Sequence, residues 1–525
     1  METLRKNRTL LITLAVMVLL LFLAIRGMNT ADWTITLMRG IAAGAITFLV
    51  AAGLSLIFGL LDVLSLAHGA LFMAGAYVGW TAYVRPDVVV DLLPPVLLLL
   101  AGVLLRPLLG KLVGTLRVPA RGQKGLWAFA ARAAPWLVLL AALLLLVVAF
   151  GHWPSARWSQ TIAAESPASN ALNLDMTTKA GQLRLPFTAA TPGSLWWLLA
   201  FLAGGLFLGL AMQSLAHLRN EPVARMSWKS FVLPLLLLVA GLAFWWFNDP
   251  LTAWLMAINT NLMFLIAMVV AVLTGAALGG LIEVGLIRPL YARPIYQLML
   301  TLGVGVIGIE LIRAVWGQTE FTMPKPALFQ GSGDACPATS LSGWFTNRCS
   351  TFTFFGGRLR TYNEVFIILV GVLVLVAIWL LLKRSRLGMV IRAGVQDSQM
   401  VEALGINIRR IFTLVFALGA GLAALGGIVA APSIGLSPYM GDSAILGALI
   451  ALAIGGLTSY PGAAAASLLI GILEQFITKY GQIGINLPFS DAVFKPTPPL
   501  VPASTVLLMV VILLLLPQGL FGRKE

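Results

Sequence analysis

Long apolar runs recur along the chain, separated by short stretches that hold most of the charge. They fall near 9–25, 36–61, 63–83, 90–109, 135–150, 194–212, 230–247, 261–287, 297–316, 364–382, 411–431, 443–457, 462–480 and 501–516. A run of ~18 or more apolar residues spans a ~30 Å hydrocarbon core as a helix. Backbone groups in lipid must be satisfied within the segment, which selects helices over other structure. The pattern predicts an all-α, polytopic transmembrane helix bundle. Runs 135–150 and 443–457 are short for a full crossing, and the Gly-rich stretches 36–83 and 443–480 are expected to be broken or re-entrant. Tryptophans near run ends (Trp80, Trp136, Trp196, Trp197, Trp245, Trp246, Trp316) fit an interfacial belt. The first run follows a basic Met1–Thr9 and has the look of a signal peptide. No clean small-x-small cleavage site precedes Asp32, so the reading is an uncleaved first helix.

Composition agrees with a membrane chain. Of 525 residues, 59% are hydrophobic and 10% charged, against ~25% charged in soluble domains. The net charge of +15 invites a nucleic-acid reading, but the Lys and Arg residues lie in discontinuous clusters between runs. These are Arg5–Arg8, Lys111–Arg132, Arg219–Lys229, Arg288–Arg293, Lys383–Arg410 and Arg523–Lys524. Placing every cluster inside satisfies the positive-inside bias and puts both termini in the cytoplasm, with no nucleic-acid partner implied.

One interior loop stands out. Residues 384–410, RSRLGMVIRAGVQDSQMVEALGINIRR, are polar and helix-prone between two apolar runs. In a protein otherwise lying in lipid, such a loop is where a soluble partner grips. On the opposite side, the loop Gln318–Glu364 carries the chain's two cysteines, Cys336 and Cys349. They are read either as a disulfide closing a short loop in an oxidising compartment or as two free thiols. The histidines (His68, His152, His217) have no metal-ligand spacing to a cysteine or to one another.

Catalytic motifs are missing. There is no GxxxxGK[ST], no HExxH and no GxSxG. The GxGxxG at Gly303, Gly305 and Gly308 lies inside an apolar run and reads as close helix packing. Ionisable residues within runs are Arg39, Glu283, Glu310, Asp442 and Glu474. Glu310 and Arg313 are spaced to pair on one helix face, and Glu283 lies close to Arg288. A structural role is expected for each, because a proton relay needs several neighbouring carboxylates or histidines and these are dispersed.

Several stretches together resemble the permease subunits of branched-chain amino acid ABC importers. They are GLSLIFGLLDVLSLAHGALFMAGAY within Arg39–Tyr83, GLIEVGLIRPLYARP (Gly280–Pro294), RAGVQDSQMVEALGI (Arg392–Ile406), GGLTSYPGA (Gly455–Ala463) and PQGLFGR (Pro517–Arg523). The resemblance implies a subunit of the translocation path with no ATP site of its own. ATP and Mg would belong to two cytoplasmic ATPases, with a second related permease alongside and an extracytoplasmic binding protein delivering solute at the inner membrane. It also implies that Arg392–Ile406 is the coupling segment, with Arg392, Asp397, Val401, Glu402, Ala403, Leu404, Gly405 and Ile406 its residues. Asp397 and Glu402 would cap or charge a short helix, Val401 and Leu404 would enter the ATPase groove, and Gly405 would end the helix. Ala67, His68, Gly69, Gly455, Gly456, Pro461 and Gly462 are candidates for the translocation path, at helix breaks suited to a polar solute. His68 reads more readily as a capping or packing residue.

Two departures qualify the resemblance. Thr458 stands where the family usually has Gly, which affects the geometry of that turn. Residues 88–260 have no counterpart and hold four apolar runs, an even number that leaves the core's topology unchanged. The expected organisation is a basic segment and first helix over 1–35, a first core part over 36–87, the insertion over 88–260 and a second core part over 261–525. Import of urea or short amides, whose permeases share these motifs, and a stand-alone carrier or channel are the competing readings.

Overall fold

The computed structural model describes residues 28–61, 63–106, 126–153, 192–218, 229–291, 293–333, 336–486 and 493–521. The run 9–25, most of the basic loop after Arg106 and the polar stretch 154–191 lie outside the described residues. Every other apolar run is a helix. In order these are α1 (Thr30–Leu61), α2 (His68–Val84), α3 (Pro86–Leu104), α4 (Leu126–His152), α5 (Pro192–Leu218), α6 (Lys229–Trp246), α7 (Asn248–Ala257), α8 (Thr260–Ile282) and α9 (Pro294–Trp316). After a small polar segment come α11 (Ile367–Arg384), the short α12 (Arg386–Gln396) and α13 (Ser398–Ala403), then α14 (Ile408–Ile434), α15 (Met440–Gly455), α16 (Tyr460–Ile483) and α17 (Leu500–Leu515). Among the described residues, nine helices are long and apolar enough to cross a membrane, and α6 with α7 forms a further apolar pair, bent by 74° at its junction. The chain is an all-α, multi-pass membrane protein. The short helices α2 and α15 come from Gly-rich runs, where glycine lowers helix propensity and lets the chain break.

The chain divides into two compact units, Met1–Trp80 with Thr260–Glu525, and Thr81–Asn259. In the first, α1 and α14 are the central helices, each 72% buried over its apolar window. Their faces are built from Gly, Ala and Ser, which lets α16 and α8 approach closely, as is usual where helices associate without a hydrophobic drive. The segment between α9 and α11 holds α10 (Leu341–Asn347) and an antiparallel hairpin, β1 (Thr351–Phe354) with β2 (Gly357–Arg360), paired Thr351 to Arg360. Cys336 and Cys349 are joined by a disulfide across it, their Cα atoms 5.5 Å apart. Arg39 of α1 donates to Glu364 at 3.1 Å and anchors the segment's end.

The second unit packs α3 against α5 and α6 around Leu98, Ala149, Trp153, Leu198 and Phe201. A polar network runs beneath this core. Arg85 clamps Asp87 with two hydrogen bonds of 3.0 and 2.8 Å, Asn248 donates to the Asp91 carboxylate at 2.8 Å, and the Trp153 indole donates to the Asp91 carbonyl. Each buried charge has a partner, as burial demands.

Candidate functional site

The loop between α11 and α14 is built as two helices with three capped starts. Ser385 accepts from the Gly388 amide at 2.9 Å and starts α12. Asp397 accepts from the Met400 amide at 2.9 Å and starts α13, and Asn407 does the same for α14 from Arg410 at 3.2 Å. Such side-chain caps replace the partners that the first turn of a helix lacks. The sequence spacing identified Asp397; Ser385 and Asn407 also stand immediately before helical runs, a signal that was equally readable. The apolar side of α12, through Leu387 and Ile391, packs on Leu56, Leu60 and Val415. The expected single coupling segment is therefore a helix pair broken at Asp397.

The pair presents its residues unequally. Glu402, Ala403 and Leu404 face outward, Leu404 with 74% of its surface exposed. Val401 does not accompany Leu404 into the open, which corrects the sequence expectation. It is 3% exposed, because Leu404 sits past the last turn of α13 while Val401 remains on the face that packs inward. Gly405 ends the helix with φ +83, donating its amide to the Glu402 carbonyl at 2.9 Å. That left-handed conformation is open to glycine at no steric cost. Ile406 is half-buried, and Arg392 reaches back to the Leu382 carbonyl.

A second connection holds the loop from the side of α8. After Ile282 the helix widens into a π-turn, Glu283–Ile287, a local distortion that often marks function. Glu283 is fully buried and is gripped by Arg288 through hydrogen bonds of 3.1 and 2.9 Å. Tyr291 donates to the same carboxylate at 2.5 Å, and Arg288 donates onward to Thr413 of α14 at 2.6 Å. The motif Gly280–Pro294 thus ties the end of α8 to the first turns of α14, directly after the coupling segment. Glu283, close to Arg288 in the sequence, is a fully paired buried carboxylate.

Beside α12 lies a cavity of about 360 Å³. Ser55 and Gly59 of α1, Arg392 and Gln396 of α12, Thr458 to Pro461 and Phe521 contribute to its walls. Two groups of residues kept apart in the sequence, Arg392 of the coupling set and Pro461 of the path set, meet there. The turn above it is tight. A methyl group on Gly462 would collide with the carbonyl of Gly455, so α15 and α16 cross backbone to backbone. Gly456 takes the left-handed conformation at φ +99. Thr458 has no such requirement, and its departure from glycine is tolerated for that reason. Leu520 and Phe521 donate to the carbonyls of Ile454 and Gly455 at 2.8 and 3.2 Å, so the motif Pro517–Arg523 closes on the motif Gly455–Ala463.

The remaining path candidates are placed elsewhere. Ala67, His68 and Gly69 are buried at the start of α2 and line no open face. His68 stands edge-on to Phe416, ring centroids 6.2 Å apart, as a packing residue. Gly69 touches the backbone of Gly441 at the start of α15. From there α15 runs 14 residues to Gly455, roughly 21 Å at 1.5 Å per residue, so the structure does not bring the two parts of the set together. Among the described residues no group of three or more His, Cys, Asp or Glu side chains is placed to hold a metal ion.

Comparison with known proteins follows these features. The family described as branched-chain amino acid transport system / permease component matches residues 250–517. The chain is 31% identical over 268 residues to the high-affinity branched-chain amino acid transport system permease protein BraD of Pseudomonas aeruginosa, covering 51% of this chain and 77% of that one. It is 31% identical over 219 residues to the corresponding LivH of Escherichia coli K12, covering 41% of this chain and 65% of LivH, just under two thirds of that relative. The fructose import permease protein FrcC of Rhizobium meliloti is 28% identical over 145 residues, 27% of this chain and 40% of that one. No solved structure matches. The chain, with its helix-bundle core, belongs to the branched-chain amino acid transport system permease component family.

Proposed function

We propose that the chain is a membrane subunit of an ATP-binding-cassette importer and forms part of the translocation path for branched-chain amino acids. Two cytoplasmic ATPases hydrolyse ATP with Mg and drive it, a second related permease completes the path, and an extracytoplasmic binding protein delivers solute. The chain lies in the bacterial inner membrane with both termini cytoplasmic. The observation that carries this reading is the capped helix pair α12–α13. It exposes Leu404 and Glu402 while Ile391 and Val401 anchor it inward. A short helix offering apolar side chains, Leu404 and Met400, to solvent suits a groove on a soluble partner. The Arg288–Thr413 hydrogen bond gives movement of that pair a direct route into α8 and α14.

The test is expression of the full chain with its neighbouring genes, gentle solubilisation, and identification of what co-purifies, alongside uptake of labelled leucine by the same cells. ATPases that co-purify, with ATP-dependent leucine uptake, are the expected result. Uptake of urea or a short amide without leucine would assign the same machine to the amide substrates. A chain that purifies alone and still transports would overturn the importer reading.

A further inference from the structure

The helix α9 is the least buried of the nine long spans, with 11% of its apolar window covered. It nonetheless carries two ionisable residues. Glu310 has 63% of its side chain exposed and pairs with Arg313 at 2.6 Å. Arg313 also donates to the Tyr439 hydroxyl, and its guanidinium lies 4.8 Å from the centre of the Tyr439 ring. Tyr439 is the residue from which α15 starts, and Asp442 and Ser443 are exposed in its first turn. A carboxylate left this open on a lipid-facing helix is strongly disfavoured, so such a pair faces water, a solute or a protein.

The start of a second helix lies beside it. Gly308, one turn before Glu310 and Arg313, packs on Ala70 of α2, where a methyl group would come within 2.8 Å of the Ala70 Cβ. The Leu66 amide is held by Thr301 of α9 at 3.2 Å. Gly69 and Gly441 then bring the first turns of α2 and α15 into backbone contact. The start of α15, with the partial positive charge of a helix N-terminus, therefore lies beside one exposed acid and one part-buried guanidinium, and the buried start of α2 backs it.

We propose that Glu310, Arg313 and Tyr439 form a recognition station for the charged head of an α-amino acid, Glu310 taking the ammonium and Arg313 with Tyr439 the carboxylate. This rests on the importer reading above and deepens it. Opposite charges fixed side by side match a zwitterion in head-to-tail fashion, because the solute replaces the contact each residue makes with the other. The start of α15 adds to the preference for the carboxylate end. An uncharged solute such as urea gains nothing from either charge, so the station separates the amino acid reading from the amide one.

The experiment measures labelled leucine uptake at saturating external leucine, in cells producing the full importer with wild-type chain, Glu310→Gln, Arg313→Gln, the double variant, or Glu310→Asp. Rates are normalised to the amount of monodisperse chain in the membrane. Each neutral variant and the double variant are expected to lose at least tenfold in maximal rate, while Glu310→Asp keeps at least a third. Apparent KM is expected to stay unchanged, because delivery by the binding protein sets it. A pair that merely satisfies itself behaves differently. Removing one charge orphans the other, and removing both relieves the defect. Recovery of the double variant to within twofold of wild type, or single variants that transport normally, overturns the station and leaves the importer reading intact. A wild-type chain that takes up no amino acid overturns both.

Discussion

Gly462 and Gly303 are both glycines of apolar runs, the first in the opening turn of α16 behind Pro461 and the second inside α9. Their surroundings are opposite. A methyl group on Gly462 meets the Gly455 carbonyl, whereas one on Gly303 meets nothing within 4 Å. Gly462→Ala is therefore expected to destabilise the chain by about 1–3 kcal/mol, the usual range for overpacking, seen as a lower melting temperature in detergent. Gly303→Ala is expected to be neutral or slightly stabilising, since alanine is the better helix former; a comparable loss in both variants would contradict the crossing at Gly455. The run GxGxxG was read as close packing throughout, yet only Gly308 meets a neighbouring side chain closely. Gly308 meets Ala70 of α2, 238 positions away, and local spacing carries no record of such a partner, whereas Gly462 meets Gly455 across the adjacent turn. Ionic partners were legible where they are local, as for Glu310 with Arg313. They were hidden where they are distant, as for Arg39 with Glu364 across 325 positions.

Elements were far more legible than their contacts. Hydropathy marks each membrane helix because lipid imposes a length and an apolar surface on it. The coupling loop was legible as a polar, helix-prone segment, but its break at Asp397 and the inward turn of Val401 follow from packing on α1 and α14. Two substitutions separate these roles. Leu404→Asp places a charge where the side chain is already in water, so the melting temperature is expected to stay within a degree or two while the co-purifying ATPase is lost. Val401→Asp puts an unpaired carboxylate into a closed site, and the expectation is failure to accumulate or a loss of several kcal/mol. If Leu404→Asp retained full ATPase binding and uptake, α13 would not be the docking element.

At the scale of the whole molecule, the disulfide is confined to the segment between α9 and α11, so its loss should stay there. Cys349→Ser is expected to cost the segment about 2–4 kcal/mol, read as faster proteolysis between residues 318 and 366, while helix content and the melting of the bundle stay unchanged. A collapse of the bundle would show that the segment holds the helices together. The division of the chain was partly visible in the motifs, which cease before the second unit and resume after it. The side chains that make that unit compact, Asp91 with Asn248 above all, are spread over 157 positions and leave no local sign. One consequence concerns synthesis. The close fit of α1 with α16, where a methyl group on Gly40 would come within 2.7 Å of Ile472, joins residues more than 430 positions apart. At ribosomal speeds of ~5–20 residues per second, α1 waits roughly 20–90 s in the bilayer with its glycine face uncovered, while the whole of the second unit is made in between. Biogenesis of this permease therefore depends on something, whether lipid, insertase or a provisional helix neighbour, that keeps that face from the wrong partner until α16 emerges.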